Sequence, residues 1–220
     1  MTENDLIALL DYLAKEIHDS RESLSALDRD IGDGDHGVTM DIGWRAIQKE
    51  IHELKQPNFY EIFQGAGRSF LRHVGATVGP LYATMFFALA KLTRDHEILT
   101  TQDAGALFTT AVEALQQRSK AEVGDKTMMD VWIPALEAFQ RALSQGPNEA
   151  ATAALMAAEK GVNTTKDLTA RKGRASHLGH RTVGHIDPGA QSAWILLRST
   201  ITWLRNNHTA SSSRRGSYGN

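Results

Sequence analysis

The decapeptide Asp28-Arg29-Asp30-Ile31-Gly32-Asp33-Gly34-Asp35-His36-Gly37 holds four carboxylates, three glycines and a histidine, and it interrupts an otherwise helical pattern. Before it, Leu6, Leu9, Leu10, Leu13 and Ile17 recur at three-four spacing, the apolar stripe of an amphipathic helix. After it, Trp44, Ile47 and Ile51 keep the same period in a second helix expected to start near Gly37. The segment therefore reads as a loop between two helices, and its composition asks for a cation. Like charges packed this closely repel unless a metal or water neutralises them, and glycine lets backbone turn or approach a ligand. Carboxylate oxygens with no cysteine nearby favour Mg²⁺, Mn²⁺ or Ca²⁺ over zinc. An EF-hand does not fit: counted from Asp28, Asp33 falls at the sixth position, where that loop needs glycine.

Working outward, helical periodicity continues to the end of the chain. Asn58 is placed to cap a helix whose buried face is Phe59, Ile62, Phe63, Ala66 and Phe70. Gly79-Pro80 opens the next, since proline is tolerated in a first turn; its span Leu81 to Leu92 is apolar on nearly all sides and is expected at the centre of the fold. Residues 102–119, 127–144, 147–162 and 189–206 repeat the pattern, and strand alternation is absent. The fold class is all-α, a single domain of about eight antiparallel helices joined mostly by short loops. We expect that domain to span residues 1–208, followed by a flexible tail over 209–220, rich in serine, glycine and arginine.

Composition removes several function classes. The formal charge is −2 and no long basic run precedes the last ten residues, so neither nucleic acid nor a membrane surface is an expected partner. The chain has no cysteine, which excludes disulfides, thiolate catalysis and Cys-ligated zinc. The start, Thr2-Glu3-Asn4-Asp5, is acidic where a signal peptide is basic, and a cytoplasmic location is expected. The stretch Leu81 to Ala90 falls short of the roughly 20 apolar residues that cross a bilayer.

Three further segments carry more glycine and charge than plain connections need. Val74-Gly75-Ala76-Thr77-Val78-Gly79-Pro80 runs small residues into a helix start, where free N–H groups and the helix dipole favour an anion; no Walker lysine follows it. Gly124-Asp125-Lys126-Thr127-Met128-Met129-Asp130, taken alone, reads as a glycine turn with an Asp-Lys surface pair and Thr127 near a helix cap. Ala170-Arg171-Lys172-Gly173-Arg174-Ala175-Ser176, with Gly184-His185-Ile186-Asp187-Pro188-Gly189-Ala190, brings cations suited to phosphate and another pre-helix loop. His18, His52, His96 and His208 show no ligand spacing and read as surface residues. Together the four loops describe a Mg-nucleotide site at one end of a helix bundle.

These five motifs, in this order and over roughly residues 5–205, resemble the nucleotide-binding L subunits of bacterial dihydroxyacetone kinases, the family also called DhaL or DAK2. The resemblance implies a barrel of eight antiparallel helices with ADP or ATP at one end, its phosphates held through two Mg²⁺ ions. Carried over by motif, Asp28, Asp33 and Asp35 are the metal ligands, and through the metal they carry the chemistry; Asp30 matches a variable position and is not carried over. His36, Gly37, Val38, Thr39, Thr77, Val78, Ser119, Met128, Arg174, Asp187, Pro188 and Gly189 line the nucleotide. The resemblance also implies a separate K subunit that holds the keto sugar, dihydroxyacetone or a relative such as erythrulose. The donor it implies is either ATP or ADP recharged in place by a phosphotransferase-system M subunit.

The chain departs from the family pattern at Thr39, at Ala76-Thr77-Val78 and at Ser119, where Asn, Gly-Ala-Ser and Gly are common. Val78 offers no hydroxyl to a phosphate. Two other classes use the same residues: a Mg-dependent hydrolase that activates water, and a non-catalytic Mg-ADP sensor that contacts a regulator. Turnover of a phosphoester without a partner would mark the first, and failure to support sugar phosphorylation with any K subunit the second.

Overall fold

The computed structural model describes residues 1–75 and 77–215, with side chains to residue 207. Among the described residues there are nine α-helices and no strand: α1 (Glu3–Asp19), α2 (Arg21–Ile31), α3 (His36–Glu53), α4 (Phe59–His73), α5 (Val78–Leu92), α6 (Ala104–Ser119), α7 (Met129–Ala142), α8 (Pro147–Thr164) and α9 (Pro188–Arg215). Three 3₁₀ segments, Leu143–Gln145, Thr165–Asp167 and Arg174–Thr182, fill connections. Of the tail expected over 209–220, residues 216–220 lie outside the described residues, and so does the side chain of His208.

Local sequence explains where the helices begin. Asn58 accepts from the Glu61 N–H at 2.9 Å while the Glu61 carboxylate accepts from the Asn58 N–H at 3.0 Å, a reciprocal cap that starts α4 at the expected place. Thr2 and Asp5 make the same arrangement at α1. Pro147, whose missing N–H costs nothing in a first turn, opens α8 behind Gly146 at φ 124°.

Eight of the helices close a ring in the order α1, α3, α4, α5, α6, α7, α8, α9 and back to α1, with α2 laid against α3 and α9. Side-chain contacts record antiparallel neighbours. Along α1 and α3, His18 meets Asp41 while Asp11 meets His52; along α4 and α5, Phe70 packs on Tyr82 while Phe63 stacks on Phe86. Because direction alternates round the ring, every second connection lies at the same end. The connections before α3, α5, α7 and α9 therefore share one end of the barrel, and each delivers a helix N-terminus there.

The interior is filled by two aromatic groups: Trp44, Phe63, Phe70, Tyr82 and Phe86 from α3 to α5, and Phe108, Trp132 and Phe139 from α6 and α7, with edge contacts such as Trp44 to Phe70 at 6.1 Å. Two expectations need correction. The first four residues of the acidic decapeptide are not loop but the last turn of α2, which buries Leu24, Ser25 and Ile31. Helix α5 is a member of the ring rather than its centre: Tyr82 and Phe86 point inward, while Met85, Phe87 and Ala88 are only half-buried. In a ring no helix occupies the axis, and an apolar residue on each flank packs on a neighbour. The Phe87 ring covers Gly67 of α4, where an added Cβ would sit 2.5 Å from it.

Candidate functional site

At the end of the barrel where four helices begin lies a cavity of about 520 Å³, within the range of small-molecule sites. Its acidic wall is built by the α2–α3 junction. Gly32 ends α2, and a Cβ there would sit 2.2 Å from Asp28 Oδ1, so only glycine leaves room for that carboxylate. Gly34, at φ 78°, turns the chain between Asp33 and Asp35. Gly37 lets α3 close on α2, since a Cβ would meet the Arg21 carbonyl at 2.0 Å. The Asp35 side chain makes no cap on α3; instead Asp28 Oδ2 accepts from the His36 N–H at 3.1 Å.

One carboxylate oxygen from each of Asp28, Asp33 and Asp35 lies within 4.8 Å of the others. Three hard oxygen donors at that separation, one of which only the absence of a Cβ at Gly32 leaves in place, fit a divalent cation of the Mg²⁺ class. In the protein alone, the opposite charge comes from Arg174, 139 residues away from Asp35, whose guanidinium donates to Asp33 and, at 3.0 Å, to Asp35. These carboxylates hold the guanidinium more firmly charged than usual, the Asp35 hydrogen bond contributing most. Asp30 takes no part and pairs across to His185 Nδ1 at 3.4 Å.

The opposite walls come from the other three pre-helix connections. Thr77 and Val78 stand at the start of α5, where no side chain caps the helix. Ser119, Met128 and Met129 line the α6–α7 side, and Gly173, Arg174, Asp187, Pro188 and Gly189 the α8–α9 side. Asp187 caps α9 by accepting the Ala190 N–H at 2.7 Å, and burial pushes its carboxyl up to about 7 against that bond and the Lys126 charge. His36 Nε2 lies 3.0 Å from Ser192 Oγ, which in turn lies 3.0 Å from Gly189 O. Burial lowers the imidazole below its ordinary range, with Asp28 and Asp35 opposing, so it stays neutral near pH 7.

The structure brings Asp28, Asp33, Asp35, His36, Thr39, Thr77, Val78, Ser119, Met128, Arg174, Asp187, Pro188 and Gly189 to this cavity. Gly37 and Val38 are not part of the lining: Gly37 is buried between α2 and α3, and Val38 is 44% exposed on the outside of α3. The reason is helical geometry, since the residues after His36 leave the first turn on different faces. Ser119 uses its hydroxyl locally, accepting the Ala121 N–H at 3.2 Å where α6 ends.

Sequence reasoning missed Lys126 and Asp130. The expected Asp-Lys surface pair does not form: Lys126 is 1% exposed, and Asp125 instead accepts the Glu122 N–H at 3.0 Å. Asp130 accepts the N–H groups of Gly124 at 2.6 Å and Thr127 at 2.7 Å, which folds the 124–127 turn onto α7. Glycine next to Asp-Lys-Thr ahead of Asp130 was the available signal, and a turn of four polar residues needs some such internal partner.

The chemistry of the cavity is two-sided. Leu81, Val78, Met128 and Met129 offer an apolar surface on which a flat ring can lie, while four helix N-termini, Arg174 and Lys172 favour an anion. The three carboxylates repel such an anion until a cation bridges them.

The DAK2 domain matches residues 30–202. The chain is similar to the ADP-binding subunit DhaL of PEP-dependent dihydroxyacetone kinase 2 of Listeria innocua, with 38% identity over 192 residues, 86% of this chain and 89% of that protein. The corresponding Escherichia coli K12 subunit is 37% identical over 179 residues, 80% of this chain and 85% of its own length. The crystal structure of the dihydroxyacetone kinase from C. freundii in complex with AMP-PNP and Mg²⁺ superposes with a TM-score of 0.68 at 25% identity, over 90% of this chain. This chain spans only 34% of that longer kinase.

Proposed function

The chain belongs to the DAK2-domain family, and on that premise we propose that it is the Mg-nucleotide subunit of a dihydroxyacetone-type kinase, passing a phosphoryl group to a keto sugar held by a separate K subunit. Its relatives are phosphotransferase subunits named for ADP binding, and the structural neighbour was crystallised with AMP-PNP and Mg²⁺. The observation that carries the proposal is the convergence of Asp28, Asp33 and Asp35 within 4.8 Å, beside helix N-termini and Arg174.

Phosphoryl transfer depends on in-line positioning and charge neutralisation more than on a protein nucleophile. A bound Mg²⁺ would supply neutralisation of the phosphate charge. Asp28, Asp33 and Asp35 would hold it, in one ion or two. The N-terminus of α5, lacking a side-chain cap, is open to a phosphate through its backbone N–H groups, so Val78 needs no hydroxyl there. Arg174 would turn from Asp33 and Asp35 to the phosphates, and the methionine side would take the base. A phosphotransferase-system M subunit as the source of phosphate is part of the same proposal, on the strength of the PEP-dependent relatives. Neither a hydrolase nor a sensor is favoured by a particular observation.

The test has two arms. In a thermal-shift titration, Mg²⁺ with ADP should raise the melting temperature and ADP in EDTA should not; equal shifts would refute the metal-bridged site. In the second, phosphate transfer to dihydroxyacetone and to erythrulose is assayed with the chain alone and with a K subunit. Transfer should need the K subunit, and robust transfer by the chain alone would overturn the division of labour.

A further inference from the structure

Lys126 is the only buried lysine or arginine among the described residues, and its backbone is held at φ 60°, a left-handed conformation unfavourable for a side-chain-bearing residue. Strain and buried charge in one residue call for a compensating arrangement. The Nζ donates to four main-chain carbonyls: Thr165 at 2.6 Å, His185 at 2.6 Å, Thr182 at 2.8 Å and Leu168 at 3.2 Å. Burial lowers the pKa of the amine, while Asp187, Asp130 and Asp167 raise it. An ammonium has three N–H donors and no acceptor, so a cage made only of carbonyl oxygens selects the charged form. A cage of that kind is also the ligand set of a monovalent cation.

All four carbonyls belong to the connection between α8 and α9, the same connection that carries Arg174 and Asp187. It folds back on itself through Gly184 N–H to Lys166 O at 2.8 Å and Ala170 N–H to Thr182 Oγ1 at 2.9 Å, with the Lys126 head in the middle. A second tether joins the same two segments, the Arg171 N–H donating to Asp125 O at 3.0 Å. We propose that Lys126 acts as a tethered structural cation, a positioning residue around which residues 165–187 fold, and that this sets Arg174 and Asp187 over the cavity. Lys126 also borders the cavity, but its N–H groups are engaged by carbonyls, so it acts on a bound nucleotide through that wall and not as a donor to its phosphates.

The proposal rests on the Mg-nucleotide reading for one of its two readouts only. In the full-length chain, Lys126→Ala removes a three-carbon ammonium, the shape of propylammonium. The ligand-free variant should lose hydrogen-exchange protection across 165–187 while α1 to α5 keep theirs, and Mg-ADP affinity should fall at least tenfold. Millimolar propylammonium should restore both, and 1-propanol, of the same shape without charge, neither. Lys126→Met, which keeps most of the side-chain length without the charge, should behave as Lys126→Ala does, without rescue. Normal exchange in 165–187 with lost nucleotide binding would make Lys126 a direct ligand contact and overturn the proposal. Rescue by propanol, or unfolding of the whole helical bundle in both variants, would overturn it too. If the parental chain binds no nucleotide at all, that reading of the cavity fails while the exchange and rescue experiment still decides this one.

Discussion

The guanidinium of Arg174 donates to the Asp35 carboxylate at 3.0 Å, joining the α8–α9 connection to the start of α3 across 139 residues of chain, and it bonds Asp33 as well. The same two carboxylates share the metal-fitting triangle with Asp28. If Mg²⁺ binds there as proposed, an arginine and a divalent cation would compete for one pair of carboxylates, and that competition would have measurable consequences.

Arg174→Gln should raise the affinity of the nucleotide-free chain for Mg²⁺ and lower the affinity for Mg-ADP. Both groups of the ion pair are about half exposed, so the change in stability should stay within about 0–1 kcal/mol. Isothermal calorimetry of each titration checks this; a fall in both affinities would show that Arg174 does not compete with the metal.

Asp33→Asn and Asp35→Asn should each abolish the Mg-dependent rise in melting temperature expected with ADP and leave the helical circular dichroism unchanged. Relief of repulsion among the carboxylates should leave the metal-free variants no less stable than the parent. A retained Mg-ADP shift in both would show that the junction is only structural.

Gly37→Ala should destabilise the chain by about 1–3 kcal/mol, because its methyl group would lie 2.0 Å from a backbone carbonyl and force α3 away from α2. That movement displaces Asp28, which spans the two helices through the His36 N–H, so Mg-ADP affinity should fall together with stability. Urea unfolding and calorimetry on the same preparation read both.

Asp187 makes a prediction about pH. Its folded carboxyl titrates at about 7 against an ordinary 3.8, so between those values the folded chain holds a proton that the unfolded chain has lost. The contribution to stability is therefore present below about pH 4 and lost as pH rises through 7. Asp187→Asn keeps an acceptor for the Ala190 N–H and removes the titration. The difference in melting temperature of the metal-free chain between pH 5 and pH 8 should be smaller in this variant, by an amount on the order of a few kcal/mol in stability.

Asn58→Ala serves as a contrast at the far end of the barrel. Loss of the α4 cap should cost about 1 kcal/mol and leave Mg-ADP affinity within twofold of the parent.

The amino-acid sequence by itself determined the helical class, the stripe Leu6 to Ile17, the cap at Asn58 and the residue types at the metal-fitting junction. Each rests on neighbours within a few positions, where periodicity and capping chemistry act. It did not reveal that Asp28 to Ile31 finish a separate short helix, because the turn of backbone at Ser20 leaves no proline or glycine to mark it. Only the closing of the ring decided the rest. It placed α5 in the wall rather than the centre, turned Val38 outward, and gathered four alternate helix starts at one end. It also buried Lys126, whose four carbonyl partners lie 39 to 59 residues further along, so that no local pattern could distinguish it from a surface lysine. Contacts across such separations depend on the packing of whole helices, and the chemistry of a residue in its own segment does not specify which carbonyls or carboxylates that packing will bring to it.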